Sequence, residues 1–198
     1  MDVSSLIPLV LPSVPGALDM DIEAALVDSA REFCERSLLL RLLDTRTVSG
    51  PDPNVSYSLP ADTEIDMVVQ FVVDGRERHP AMVMDYSTPP ACTIGWERVG
   101  SATLRLHGVP DGAFELKSVL ALRPILDAVE FSDELAMFQG ALAEGAKASL
   151  LLQGESRWFN PQLAAASRGL FESGLAGACS SVARRFSRGG LRTKTSFF

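Results

Sequence analysis

The period of the apolar residues changes twice along this chain, and that alternation restricts the fold more than any other feature. Ile22, Leu26, Ala30, Phe33 and Ser37 recur three or four residues apart, the spacing of one helix face. Asp19 stands as an N-cap, and Asp21 and Glu23 in the first turn favour the positive end of the helix dipole. Glu23, Asp28, Arg31, Glu35 and Arg36 fill the opposite face, so the spacing predicts an amphipathic helix over 20–42. Turn chemistry, Gly50-Pro51-Asp52-Pro53, closes this part of the chain.

Beyond that turn the apolar residues take the period of strands. Val55–Leu59 alternates and stops at Pro60, Ile65–Val73 is β-branched and ends at Asp74-Gly75, and Arg78–Asp85 returns from that turn. Ala91–Val99, Ala102–His107 and Ala113–Leu122 supply three more stretches. The pattern predicts a meander of short antiparallel strands with one wet face. After Arg123-Pro124 the helical period resumes. Ser132 opens a helix over about 132–152 with Leu135, Phe138, Leu142, Ala146 and Leu150 in one stripe. Asn160-Pro161 then pairs a cap with proline at the first helical position, and a third helix runs to about Arg185. Both later helices are rich in Gly and Ala, so packing rather than propensity must stabilise them.

The ends read differently. Leu6–Gly16 carries Pro8, Pro12 and Pro15, which argues against a helix and points to an extended apolar arm. The expected fold is therefore α+β: a three-helix bundle with an inserted antiparallel β domain and extended N- and C-terminal arms. Its parts are an arm over 1–18, a helix over 19–44, the β domain over 45–124, the remaining helices over 125–186 and a basic arm over 187–198.

Charge is distributed as unevenly as period. Residues 1–156 hold 11 Lys/Arg and 24 Asp/Glu, whereas residues 157–198 hold 7 Lys/Arg and a single acid, Glu172. An acidic body with a basic tail is unlike a simple enzyme. No charge-free apolar stretch approaches the length of a membrane span. The three cysteines, Cys34, Cys92 and Cys179, are too few and scattered for a disulfide framework or zinc cluster, which suits a reducing cytoplasm. The acidic start Met1-Asp2-Val3 makes a poor signal peptide.

No catalytic constellation emerges. His79 precedes Pro80 and His107 ends a strand, and neither has a second ligand at metal spacing. There is no G-x-S-x-G elbow. Gly145-Ala146-Lys147-Ala148-Ser149 lacks the leading glycine and Lys-Ser/Thr adjacency of a phosphate loop and falls mid-helix. The pairs Asp19/Asp21 and Asp133-Glu134 sit at helix N-termini, where the dipole accounts for them, and Glu64/Asp66 reads as a solvated strand face. Cys34 and Cys179 read as buried, inert thiols. No cofactor or metal is expected.

The basic tail is the exception. It ends Phe197-Phe198, with Leu191 nearby and Arg184, Arg185, Arg188, Arg192 and Lys194 interspersed. Ordering a dozen residues costs more than burying three apolar side chains returns. Docking this tail therefore requires ion pairs and a pre-formed groove on a partner. Nucleic acid could use the same charges, but no aromatic residues interleave with them and the body is acidic.

Four stretches resemble the head-to-tail adaptor (neck connector) proteins of tailed bacteriophages and prophages. Ala24–Ser37 looks like their first helix, of pattern A-x-x-D/E-A-A-x-x-F-C-x-R-T/S. Leu116–Leu122 before Arg123-Pro124 looks like their apolar strand ending in a basic residue and proline. Phe138–Leu151 is similar to the next helix. Arg157-Trp158-Phe159-Asn160-Pro161-Gln162-Leu163-Ala164, then Phe171-Glu172 and Ala178, resembles their P-W-x-N/D-P-x-L-A signature and its continuation, with Arg157 where proline is common. The resemblance covers about half the chain.

It implies a non-enzymatic virion protein of the neck, present in the host cytoplasm during assembly, that forms a ring of twelve copies under the portal protein and links it to the next neck or tail protein. Genomic DNA would pass through without sequence recognition, and no membrane is involved. The portal-binding arm would be Arg184, Arg185, Arg188, Leu191, Arg192, Lys194, Phe197 and Phe198. Phe33, Leu142, Ala146, Trp158 and Phe171 would lie on the helices that pack the ring. A tail-completion protein of the same fold class, binding the tail tube, is the nearest alternative. A small enzyme using the β domain as a pocket, with His79 or His107 beside shifted carboxylates, is the alternative from another class.

Overall fold

A computed structural model describes residues 1–49, 54–78, 95–108, 112–154 and 156–187. The chain divides into two compact units, Leu40–Ile125 and the remainder on either side of it.

In the helical unit the chain opens with a 3-10 turn (Val3–Leu6), a short helix α1 (Ile7–Val10) and a second 3-10 turn (Leu11–Ser13). The expected extended N-terminal arm is thus helical. Pro8 and Pro12 do not oppose this, because each falls in the first turn of its short helix, where a missing N–H breaks no bond. Val3, Leu6, Val10 and Val14 keep a three-then-four spacing and are buried. The segment is tied down by Val3 N–H donating to Val129 O at 3.0 Å and by Phe131 N–H donating to Met1 O at 2.7 Å.

Helix α2 spans Asp19–Ser37, with Leu18 rather than Asp19 at its N-cap. It ends five residues short of the expected 42. Leu38 turns into the left-handed region at φ 51°, and its N–H donates back to Cys34 O at 2.8 Å. The expected helix 132–152 is two helices, α3 (Asp133–Ala136) and α4 (Gln139–Leu150). Ser132 stands at the N-cap of α3, but its hydroxyl makes no hydrogen bond there. Helix α5 runs from Pro161 to Ser187. Five α-helices among the described residues, with a helical N-terminal segment, replace the expected three-helix bundle with its extended arm.

The other unit holds seven strands among the described residues, in two antiparallel sheets. They are β1 (Arg41–Val48), β2 (Asn54–Ser56), β3 (Thr63–Val73), β4 (Arg76–Glu77), β5 (Gly95–Arg98), β6 (Thr103–His107) and β7 (Phe114–Pro124). Their orders are β1-β7-β3-β4 and β2-β6-β5, so the sheets are not the expected meander. β1 takes up the end of the expected helix and the first residues of the expected β domain. It pairs along its whole length with β7, from Arg41 opposite Ala121 to Val48 opposite Phe114. β3 pairs with the other edge of β7 through two register shifts, between Ile65 and Met67 and between Val68 and Gln70. Flanked on both sides, β7 buries Phe114, Leu116, Ser118 and the run Leu120–Leu122. The expected strand over 78–85 and the start of that over 91–99 lie outside the described residues.

Candidate functional site

The two stretches that carry the family resemblance most fully, Ala24–Ser37 and Arg157–Ala178, lie on α2 and α5 and just before α5. A turn builds the second of them. Trp158 Nε1 donates to Leu150 O at 3.2 Å, and Asn160 N–H donates to Leu151 O at 3.0 Å, fastening the loop to the end of α4. Asn160 Oδ1 accepts from Leu163 N–H at 3.1 Å and so caps α5, with Pro161 at its first position. From there Ala164, Ser167, Phe171, Leu175, Ala178 and Val182 form one buried seam.

That seam meets α2 through aromatic rings and ions. Phe33 and Phe171 are fully buried, 5.9 Å apart at 74°, and Phe138 packs on Phe33 at 5.2 Å. Beside them, Arg36 makes a two-pronged pair with Glu172, both contacts at 2.6 Å, and a bond to Glu32 at 2.9 Å. Arg168 grips both oxygens of Glu32, lies 2.9 Å from Glu172, and covers the Phe171 ring at 4.8 Å. The Arg168 bond, opposed by partial burial and aided by Arg36, holds the Glu32 carboxyl below its ordinary range. Arg36 does the same for Glu172. The two guanidiniums are in turn held charged more firmly than usual by these carboxylates. Each carboxylate has a permanent cationic partner, so neither serves as a base near neutrality. The network clamps two helices.

Close packing completes the arrangement. A Cβ on Gly145 would stand 2.1 Å from Ser29 Oγ and 2.7 Å from Phe171, and one on Gly174 would stand 2.4 Å from the Ala141 Cβ. Ser29 donates to Leu142 O at 2.8 Å in the buried gap that Gly145 leaves.

The residues assigned to ring packing are thereby relocated. Phe33, Leu142, Ala146 and Phe171 are fully buried within the helical unit itself, and Trp158 is half-buried in the α4–α5 turn. The first four side chains are used in this chain's own core, and Trp158 is used there in part. The outward side of α5 is different: Leu163 and Leu170 are 41% and 59% exposed, and Ala166, Gly169, Ser173, Ala176, Gly177 and Ser180 share that exposure. Between Pro161 and Ala183 the only charged residues are the paired Arg168 and Glu172.

Of the arm, Arg184 is exposed and donates from Nε to Ser180 O at 3.1 Å. Arg185 falls in the last turn of α5 with its side chain undescribed. Arg188, Leu191, Arg192, Lys194, Phe197 and Phe198 lie outside the described residues, as do His79 and Cys92.

Other candidate groups resolve into structure. Glu64 and Asp66 do not form a solvated face, because Arg123 sits 2.7 Å from Glu64 and 3.3 Å from Asp66 with all three side chains at most 22% exposed. Cys34 is buried, but Cys179 is exposed, its thiol 3.7 Å from Arg36 O. Lys147 is held mid-helix by Glu144 at 2.7 Å. His107 lies 3.6 Å from Glu97 and does not line the concavity of the β unit, a hollow of about 340 Å³ beside β3, Arg78, Trp96 and Arg98. Among the described residues there is no group of three metal-binding side chains, and no helix is long and apolar enough to cross a membrane. Sequence reasoning missed the four-residue ion network. Its signal was present as acid–base pairs four residues apart, Glu32/Arg36 and Arg168/Glu172, one on each helix.

No protein-family model and no curated protein matches the chain.

Proposed function

We propose that this protein is a head-to-tail adaptor: a ring-forming, non-enzymatic virion component that attaches beneath the portal protein and presents a platform for the next neck or tail protein. The observation that carries this reading is the state of the two signature stretches. Although separated by more than a hundred residues, they form one locked helix pair in which Glu32, Arg36, Arg168 and Glu172 are ion-paired and Asn160 caps α5. The signature is thus the means of building a rigid helical block, as a ring component requires.

Two further features support it. The outward side of α5 is uncharged, small and studded with Leu163 and Leu170, a surface suited to close helix packing against another copy. The acidic body repels phosphate and lets DNA pass without adhering, while the basic segment from Arg184 onward is free of acids and is the part that reaches another polypeptide. The test is co-sedimentation with a purified portal ring. The full chain is expected to attach, and a chain lacking residues 187–198 is expected to keep its circular-dichroism spectrum yet fail to attach. Equal attachment by both would overturn the reading.

A further inference from the structure

The helical unit carries a second surface that the signature does not account for. Asp2, Val3 and Ser4, the first half of α2 (Met20, Glu23, Ala24, Val27) and Leu126–Val129 enclose a groove of about 480 Å³. Its apolar walls are open: Met20, Leu126 and Val129 are 69%, 71% and 66% exposed. Large side chains so placed within one concavity are costly to leave in water. Its charged lining is all acidic, namely Asp2, Glu23 and Asp127. Glu23 and Asp127 make no ion pair or hydrogen bond among the described residues. A groove with apolar walls and an acidic rim fits an extended segment that alternates cations with large apolar side chains. Arg188, Leu191, Arg192, Lys194, Phe197 and Phe198 supply that chemistry on this same chain.

Geometry decides which copy supplies it. α2 and α5 run in the same direction: Glu32–Arg168 and Arg36–Glu172 join residues 136 apart through long side chains, and the Cys179 thiol meets Arg36 O at 3.7 Å across 143. On those registers Glu23 lies level with residues between 159 and 166, and Ser187 ends α5 about 32–42 Å further along the axis. Fully extended, the chain beyond α5 reaches about 14 Å at Leu191 and about 18 Å at Arg192. Arg188, Leu191 and Arg192 therefore fall short of the groove of their own subunit.

We infer that the acid-rimmed groove formed by Asp2–Ser4, the N-terminal half of α2 and Leu126–Val129 receives the basic C-terminal segment 188–198 of a second copy of this chain. The contact is heterologous, one patch meeting its complement on the next molecule, so it propagates from copy to copy and closes into a ring when the rotation permits. This rests on the adaptor reading for the ring, and it assigns residues 188–198 to the joint between copies in place of the portal contact that the family resemblance implies.

Charge-swapped full-length chains test it by sedimentation equilibrium, with circular dichroism confirming that each is folded. The unaltered chain is expected to self-associate with concentration, more weakly in high salt. E23K/D127K alone and R188E/R192E alone are each expected to associate at least about tenfold more weakly. Mixing the two recovers association, because each groove then meets an arm of opposite sign. Unaltered association by either variant alone, or no recovery on mixing, overturns the inference. A chain that stays monomeric at every concentration yet binds portal, with E23K/D127K abolishing that binding, assigns the groove to a portal segment and also overturns it, leaving the adaptor reading intact. Self-association with recovery but without portal attachment leaves the inference standing and removes that reading instead.

Discussion

Gly145 shows how single atoms govern the helical unit. Any side chain there meets Ser29 Oγ and the Phe171 ring, both fixed in a buried seam, whereas Gly169 on the outward side of α5 has nothing within 4 Å of a built Cβ. Gly145→Ala is expected to destabilise the protein by about 1–3 kcal/mol, the usual range for overpacking a filled core. Gly169→Ala is expected to stabilise it by about 0.5–1 kcal/mol through helix propensity. Urea midpoints measured side by side check both, and equal midpoints for the two variants would contradict this packing. Glu32 supplies a pH dependence at the same scale. Its carboxyl is held below the ordinary 4.5 when folded, so its contribution is present above that value and is lost as pH falls through the depressed folded-state pKa. The thermal midpoint is expected to drop on acidification below about pH 4.5, and less steeply in Arg168→Gln, which removes the main cause of the depression. Parallel acid limbs in the two proteins would show that the clamp is not what titrates. Little of this was legible in the sequence. Gly145 read as one small residue among many, because a stripe of Gly and Ala announces close approach without saying which glycine is in contact.

Elements were legible where a single period dominates and opaque where two overlap. The stripe from Ile22 to Ser37 has one reading, and α2 conforms to it. Leu38-Leu39-Leu40 and Leu42-Leu43 extend a helical run and a strand equally well. The left-handed turn at Leu38 decides between them and releases β1, a strand whose partner lies seventy residues onward. The N-terminal prolines misled for a related reason: their effect depends on position within a turn, and the spacing of Val3, Leu6, Val10 and Val14 was the stronger signal. Asn160-Pro161 was legible because capping is local chemistry, satisfied within three residues. Asn160→Ala is expected to lose about 1 kcal/mol of stability by leaving the Leu163 N–H without its acceptor, and hydrogen exchange should quicken over the first turn of α5. An unchanged exchange rate there would mean that the turn onto α4, rather than the cap, fixes the start of the helix.

At the scale of the molecule, charge and helix packing point to a part that works in company. An acidic body, a basic terminal segment, an uncharged outer helix side and an open acid-rimmed groove are the features on which the proposed ring rests. The expectation that the tail docks on a partner comes from composition alone, and residues 188–198 lie outside the described residues. The groove could not be read from sequence, because Met20, Glu23, Leu126 and Val129 come together only through the fold. Sequence reasoning places ring packing on the most apolar helix residues, and those are the ones the chain uses for its own core. The exposed Leu163 and Leu170 stand one helical face away. The central claim, assembly on a portal, is met most directly by native mass spectrometry of a portal ring mixed with this protein. The account predicts a single added mass equal to a full ring of copies, lost when residues 187–198 are removed. A portal ring that gains no mass, or gains scattered single copies regardless of the arm, would contradict it.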